Sequence, residues 1–366
     1  MNQKLLREVN TDALREAANE LAPQTNETLL VLLAEHADIK IHAVQEVLRE
    51  TGHSFFGGLF PGLIYGEEKL DKALVLLKLP AQQPPFVIES LDWSPETLVP
   101  VAEAPHRFGM VILVDGLMGM INDYLQMINN ALGDRFSFIG GGAGSLTLVQ
   151  QDCLMTNEGV FQNAVVGCLL EQRVRLGIRH GWQRLAGPFM VTEADGNTLQ
   201  KLNWRPAMDV YREVVEPDTG AKLDPENFFS YAKGYPFGII REQEEDIVRD
   251  PIAVNEDGSL LCVGELPLNA AIYILKGERD ELVGAARKAF QDCQTATPPR
   301  KGESLLVVDC ISRTLFLEDD FKLELSELFQ EGQTPLGILS LGEIASFGAG
   351  ALEFFNKTIV LGQLQD

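Results

Sequence analysis

The chain predicts a mixed α/β fold of layered sheets, with parallel βαβ units, antiparallel hairpins and helices packed outside. Three observations lead there. One pattern occurs three times: an apolar strand, an acidic turn, a helix-period segment, and a second apolar strand running into glycines. Between the copies lie short apolar runs separated by turn residues, which read as hairpins. The 366 residues, 45% hydrophobic and 23% charged, are enough to bury two or three cores.

The opening MNQKLLREVNTDALREAANELA places Leu and Ala every three or four positions among charges, which predicts an amphipathic helix over residues 1–22 and not a signal peptide. The first copy of the pattern is Leu29–Ala34, Glu35-His36, Ile41–Glu50, then His53-Ser-Phe-Phe-Gly-Gly58. The second is Met110–Val114, Asp115-Gly116, Tyr124–Leu132, then Phe136-Ser-Phe-Ile-Gly-Gly-Gly-Ala-Gly144. The third is Leu305–Val308, Asp309-Cys310, Leu323–Phe329, then Leu336-Gly-Ile-Leu-Ser-Leu-Gly-Glu343. Connections this long make parallel crossovers, because antiparallel neighbours need only a short turn. Ligands bind beyond the carboxyl ends of parallel strands. The turns at Glu35, Asp115 and Asp309 and the three glycine segments are therefore expected to converge on one or two crevices.

The hairpin readings are four. Ala73–Lys78 and Phe86–Glu89 flank a proline-rich turn, and Gly159–Leu170 precedes Val174–Trp182. Met190–Glu193 passes through Asp195-Gly196-Asn197 to Leu199–Leu202, and Ile252–Val254 through Asn255-Glu-Asp-Gly258 to Ser259–Val263. The polar, proline-bearing Pro217–Pro225 suggests a boundary, with one domain over 1–220 and a second over 221–366. Leu91–Pro105, with three prolines, is a further break inside the first domain.

Lys and Arg number 30 and Asp and Glu 53, a net charge of −23, and such a field repels nucleic acid and anionic lipid. No apolar run approaches the roughly 18 residues needed to span a bilayer, so membrane insertion is not expected and a cytoplasmic location is. Five cysteines (Cys153, Cys168, Cys262, Cys293, Cys310) without a C-x-x-C pair argue against disulfides and structural zinc.

Gly140, Gly141, Gly142 and Gly144, followed by Ser145, form the densest glycine cluster. They read either as a ligand-facing loop offering backbone N–H groups or as a tight turn packed on a neighbour. The pattern is not G-x-G-x-x-G and lacks a Walker lysine, which disfavours a nucleotide loop. Asp115 reads as a helix-start cap, with a ligand role as the alternative. Cys310, at a helix start with Arg313 one turn later, has the setting of a favoured thiolate, and a cysteine-dependent hydrolase or transferase is one reading. No histidine adjoins it in sequence to serve as base, so whether the chain is an enzyme stays open. Among His36, His42, His53, His106 and His180 no pair has metal-binding spacing. His53 and His180, beside aromatic residues, are candidates for a single axial haem ligand or for hydrogen-bonded strand-end histidines.

Taken together, these segments resemble the FIST family of sensory domains. The amino-terminal half of that family is matched by Val114-Asp-Gly116, Phe138-Ile-Gly-Gly-Gly-Ala-Gly144, Arg179-His-Gly-Trp182, Val191-Thr192 and Leu202-Asn-Trp-Arg-Pro-Ala207. The carboxy-terminal half is matched by Tyr235-Pro-Phe-Gly238, Gly264-Glu-Leu-Pro-Leu268, Cys310 with Arg313, Leu341-Gly-Glu-Ile344 and Phe355-Asn-Lys-Thr358. The family's usual ending resembles His-Asn-Gln-Thr, and Phe355 and Lys357 depart from it; Asn269 stands where a glycine is common.

The resemblance implies a stand-alone sensor binding a small molecule, such as an amino acid or related polar metabolite. It further implies signalling through a partner: a histidine kinase, a cyclic-di-nucleotide enzyme or a chemoreceptor. A subset of the family is similar to haem-binding nitric-oxide sensors that inhibit a kinase. On this reading Gly140–Gly144 and Gly342-Glu343 supply N–H groups and Arg313 clamps a carboxylate. Glu343 or Asp115 meets an amine, and Asn356 adjoins the ligand.

Overall fold

The computed structural model describes residues 2–92, 108–241, 245–294, 303–347 and 351–365. Most of the Leu91–Pro105 break, and His106, lie outside them.

Strands made of unbroken Leu, Ile and Val runs are apolar on both faces, so each must be covered on one side by helix and on the other by sheet. The chain opens with β1 (Gln3–Leu6) and α1 (Thr11–Leu21). The expected helix over 1–22 thus begins only at Thr11. Asn10 stops it there, its Oδ1 accepting from the Ala13 N–H at 2.9 Å, and Gln3–Leu6 pair as an edge strand with Leu74–Leu77. The first unit continues with β2 (Glu27–Ala34), α2 (Ile41–Thr51), β3 (Phe55–Phe60), the hairpin β4 (Gly62–Tyr65) and β5 (Glu68–Leu70), then β6 (Leu74–Pro80) and β7 (Phe86–Ile88). The second unit is β8 (Phe108–Asp115), α3 (Ile121–Leu132), β9 (Phe136–Ala143), the hairpin β10 (Leu154–Thr156) and β11 (Gly159–Phe161), then β12 (Val165–Leu170) and β13 (Arg173–Arg179).

A long insertion follows: β14 (Gln183–Asp195), β15 (Thr198–Leu202), β16 (Arg205–Pro206), α4 (Ala207–Thr219), α5 (Phe228–Ala232), β17 (Phe237–Ile239), β18 (Ile247–Val254), β19 (Leu260–Val263) and β20 (Ala271–Lys276). The third unit is α6 (Arg279–Cys293), β21 (Glu303–Cys310), α7 (Ile311–Leu317), α8 (Phe321–Ser326), β22 (Gln333–Ser340), the hairpin β23 (Glu343–Phe347) and β24 (Ala351–Phe355), then β25 (Ile359–Gln365).

All three crossovers are parallel as the sequence predicts: β2 with β3, β8 with β9, and β21 with β22. Each hairpin, however, leaves its own unit. β4–β5 adds to β22, β10–β11 to β3, and β23–β24 to β9, while β6, β12 and β25 return to β2, β8 and β21. Three topologically identical six-stranded sheets result, in the orders β1-β6-β2-β3-β10-β11, β7-β12-β8-β9-β23-β24 and β13-β25-β21-β22-β4-β5. Their inner faces share one core, from Leu30 and Leu32 through Val111, Leu113 and Ile139 to Leu306, Val308 and Ile338. A central apolar cavity of about 30 Å³ is lined by the same residues. Helices cover the outer faces of this three-sided prism.

Exchange between units corrects two hairpin readings. β6 and β7 lie in different sheets, and so do β12 and β13, because each pair is a crossing from one sheet to the next. The readings at Asp195-Gly196-Asn197 and at Asn255–Gly258 stand as antiparallel pairs β14–β15 and β18–β19. In the insertion the ring β14-β20-β17-β18-β19-β15 closes, since β15 pairs back on β14. α4 packs against this barrel through Met208, Tyr211 and Val215. A divide at residue 220 passes through the barrel, and two prism sheets carry strands from both sides of it.

Gly140, Gly141 and Gly142 belong to strand β9 and not to a loop, with Gly144 just past its end. Gly140 stands opposite Ile112, as Gly57 does opposite Val31 and Gly337 opposite Val307. At each, a Cβ would overlap the carbonyl oxygen of the opposing residue, so the parallel pair can close only over glycine. Gly140→Ala is accordingly expected to lose about 3 kcal/mol or more in denaturant unfolding. Gly284→Ala, in open space on α6, should gain about 0.5–1 kcal/mol from helix propensity.

Candidate functional site

Three equivalent strand ends allow each position to be compared with its two counterparts. The amides of Ala34, Asp115 and Cys310 bond the carbonyls of Ala73, Ala164 and Thr358, which fixes the correspondence. Across the parallel pairs, Ala34, Asp115 and Cys310 face Phe60, Ala143 and Ser340. On the exchanged hairpins the residues before those opposite the three glycines are Leu154, Glu343 and Leu63. One residue earlier on the same strands stand Leu33, Val114 and Asp309. The third unit therefore places Asp309, Ser340, Glu343 and Thr358 where its counterparts hold aliphatic or aromatic side chains. All four are buried.

This polar end abuts the barrel. Arg313, on α7, is fully buried and gives Nε and Nη2 to Glu324 on α8 at 3.0 and 2.6 Å. Its remaining donors go to the carbonyls of His180 (2.5 Å), Leu282 (3.2 Å) and Lys357 (3.3 Å), and Asp309 lies 3.2 Å from Nε. Burial acts against the cation, but Glu324 and Asp309 outweigh it and hold the guanidinium above its ordinary pKa. Burial first, and the Glu324 carboxylate second, push Asp309 above the usual carboxylate range, while the Arg313 cation pulls it back. Arg313 is thus an internal strut whose donors are all engaged, and no donor is left to clamp a ligand carboxylate.

Cys310 is buried and caps no ligand face. Burial and the adjacent Glu343 raise its thiol well above its ordinary value, so it is a protonated core thiol and not the favoured thiolate expected of a helix start. Glu343 bonds Ser340 Oγ at 2.6 Å and the Thr358 N–H at 3.2 Å, and burial pushes it up to about 8.

Beyond it, Lys357 Nζ lies 3.1 Å from Asp250 Oδ2 on β18, with both side chains buried. Ser312 Oγ donates to the same oxygen at 2.8 Å, and Lys357 Nζ also donates to the Lys233 carbonyl at 2.9 Å. Trp182 donates its indole N–H to the Lys357 carbonyl at 2.9 Å while its ring sits 5.0 Å from the ammonium. Neighbouring Asn356 is 1% exposed. Asn356 Oδ1 and Asp250 Oδ1 have no hydrogen-bond partner.

The other expected site residues lie elsewhere. Asp115 does not cap α3. Its Oδ1 accepts from Leu117 N–H at 3.0 Å and its Oδ2 from Asn163 N–H at 2.7 Å and from Gln150 Nε2, which ties three loops together. Glu35 accepts from Leu146 N–H at 3.0 Å, so these two turns meet, whereas Asp309 points to the opposite face. The glycine segments also meet, but backbone to backbone: Gly142 N–H donates to Gly342 O, Leu341 N–H to Gly142 O and Gly144 N–H to Leu59 O. Gly141 is boxed in by Val308, Ser340 and Gly342, and the Phe354 ring fills the space beside Gly342. Ser145 bonds within its own loop to Thr147.

Haem needs an imidazole Nε2 open to an apolar pocket. His180 Nδ1 accepts from Trp182 N–H at 2.9 Å and its Nε2 faces Glu245 at 3.6 Å. Burial lowers its pKa against the pull of Glu245 and Asp246. The pKa of His53 is also lowered by burial; its contacts with Thr51 and Asn157 are made by its backbone, and its Nε2 is buried without a hydrogen-bond partner. The His180 setting does not fit haem. Among the described residues no cluster suited to a metal ion is found, and no helix is long and apolar enough to cross a membrane.

Sequence reasoning did not find Asp250, Ser312 or Glu324. Asp250 lies within an apolar strand, and only the departure at Lys357 signalled that a buried cation needed an acid. Two outcomes are expected. Arg313→Met, which strands Glu324 without its cation, should cost about 3–5 kcal/mol in chemical denaturation. Glu343 is raised in the folded state, so its contribution is present at low pH and lost as pH rises toward 8. Glu343→Gln should therefore gain on the wild type by roughly 1 kcal/mol per pH unit between pH 5 and 8 in paired unfolding curves.

Comparison with protein families gives two adjoining matches, the FIST N domain over residues 10–205 and the FIST C domain over residues 207–346. Their junction falls at the start of α4, ahead of Pro217–Pro225. No curated protein matches the chain. FIST domains are generally associated with sensory signal transduction. Matched by both models in sequence order, the chain belongs to the FIST family.

Proposed function

We propose that the protein is a small-ligand sensor whose ligand lodges at the seam between barrel and prism, around Asp250, Asn356 and Lys357. One observation carries this reading. Of three equivalent strand ends, only the third is polar on both faces, and it is the one the barrel covers. A core that merely needed filling would use leucine there, as Leu63 and Leu154 do. Buried oxygens without partners cost about 1–3 kcal/mol each, a cost that a bound ligand removes.

Barrel and prism meet through Asp250–Lys357, Arg249 with the Phe354 carbonyl at 3.1 Å, and Arg241–Glu353, and through an apolar contact in which Val248 and Leu275 pack with Trp182, Leu282 and Leu305. The two connections between the bodies run side by side at Trp182 and Gly277, where a Cβ on Gly277 would strike the Trp182 ring. Ligand binding would re-seat the barrel and alter a face read by a partner protein. A histidine kinase, a cyclic-di-nucleotide enzyme and a chemoreceptor are the partner classes that fit a sensor, and an amino acid or related polar metabolite is the ligand class to test first. Calorimetry of the full chain against a panel of polar metabolites is expected to find one binder, with Trp182 fluorescence changing on saturation. Silence across the panel with folded protein overturns the reading.

A further inference from the structure

In the first parallel strand of each unit, side chains alternate between the helices outside and the line where the three sheets meet. The outward ones are packed shut: Val31, Leu33, Ile112, Val114, Leu305 and Val307 keep 0–1% of their surface accessible. The inward ones are equally apolar and lie deeper, yet Leu30, Leu32, Val111, Leu113, Leu306 and Val308 keep 2–6%. Accessibility ordinarily falls toward the centre of a core. Its reversal in all three units means that this residual surface is turned inward, onto the central cavity of about 30 Å³ that the same six residues line.

The walls decide what the cavity can hold. Besides aliphatic side chains they include Gly140 and Gly337, and each of these is paired on both flanks, Gly140 with Ile112 and Ile344, Gly337 with Val307 and Ile64. Their peptide groups are therefore spent in the sheet ladders. A buried water needs two to four polar partners and finds none here, and a charged or hydrogen-bonding ligand would give up its hydration for nothing. A non-polar molecule loses little on leaving water and gains dispersion contacts with wall atoms that otherwise face a void. Size sets the limit: one water-sized sphere takes about 10–15 Å³, so the cavity admits a molecule of about two heavy atoms.

We propose that the centre of the prism is a binding site for a small non-polar gas of about the size of dioxygen. The site is separate from the seam and does not rest on the sensory reading. Because its walls come from β2, from β8 and β9, and from β21 and β22, an occupant touches all three units at once.

Methyl NMR of the full chain, equilibrated in turn with dioxygen and with nitrogen, tests this. Dioxygen is paramagnetic and speeds the relaxation of methyl groups it visits, and nitrogen is its diamagnetic control. The inward methyls of Leu30, Leu32, Val111, Leu113, Leu306 and Val308 are expected to relax about threefold faster or more under dioxygen than the outward ones of Val31, Leu33, Val114, Leu305 and Val307, as a dry internal site requires. Equal effects on both sets, or none on either, overturn the proposal, and so does a water cross-peak to the inward methyls. Val308→Ile, which adds a methylene at the most accessible of the six, should cut the effect at Leu32 and Leu113 by about half or more. Should that variant fail to fold, Val111→Ile fills the cavity from another wall. An effect that persists undiminished in the filled protein overturns the location.

Discussion

Hairpin exchange is the constraint on which the rest of the molecule depends. Each parallel pair needs an antiparallel strand on both flanks, and one of those strands always comes from another unit. No unit can therefore complete its own sheet. The exchange also dictates the glycines. Where two strands and an incoming hairpin crowd together, Gly57, Gly140 and Gly337 let the backbones close, and the strand ends beyond them lock amide to carbonyl. The densest glycine run in the chain is thus explained by packing.

Near-equivalence of the three units makes the polar end conspicuous. Asp309, Ser340, Glu343 and Thr358 occupy positions that tolerate leucine, valine and alanine elsewhere in the same protein. Burying Asp309 brings Arg313 beside it, which in turn needs Glu324, and a buried ion pair seldom adds net stability over apolar packing. Stability alone gives no reason for such an arrangement; the proposed binding role at the covered end would.

Much of the fold was legible because it is local. Three apolar strand–helix–strand patterns gave three parallel crossovers, and turn residues at Asp195–Asn197 and Asn255–Gly258 gave two true hairpins. What was hidden is long-range: that β4, β10 and β23 pair with strands of another unit leaves no trace in composition or periodicity. The same holds at the site. Arg313, Glu343 and Asn356 stood out as polar residues beside strand ends, but the acids that engage Arg313 and Lys357 lie 11 residues along on α8 and on a barrel strand over 100 residues away. Asp115 and Asp309 looked alike in sequence. One step of register puts them on opposite faces of their sheets, and only pairing reveals it.

Glu343 shows what this weave makes possible. By pairing it belongs to the second sheet, opposite Gly141, yet its carboxyl is held by Ser340 and Thr358 of the third. Two residues along the chain from Thr358 lies Asn356, at the barrel's edge. A displacement of a few tenths of an ångström at the barrel contact has no private place to dissipate; it is handed at once to two walls of the prism, as a stitch pulled at a corner tightens both panels of a seam.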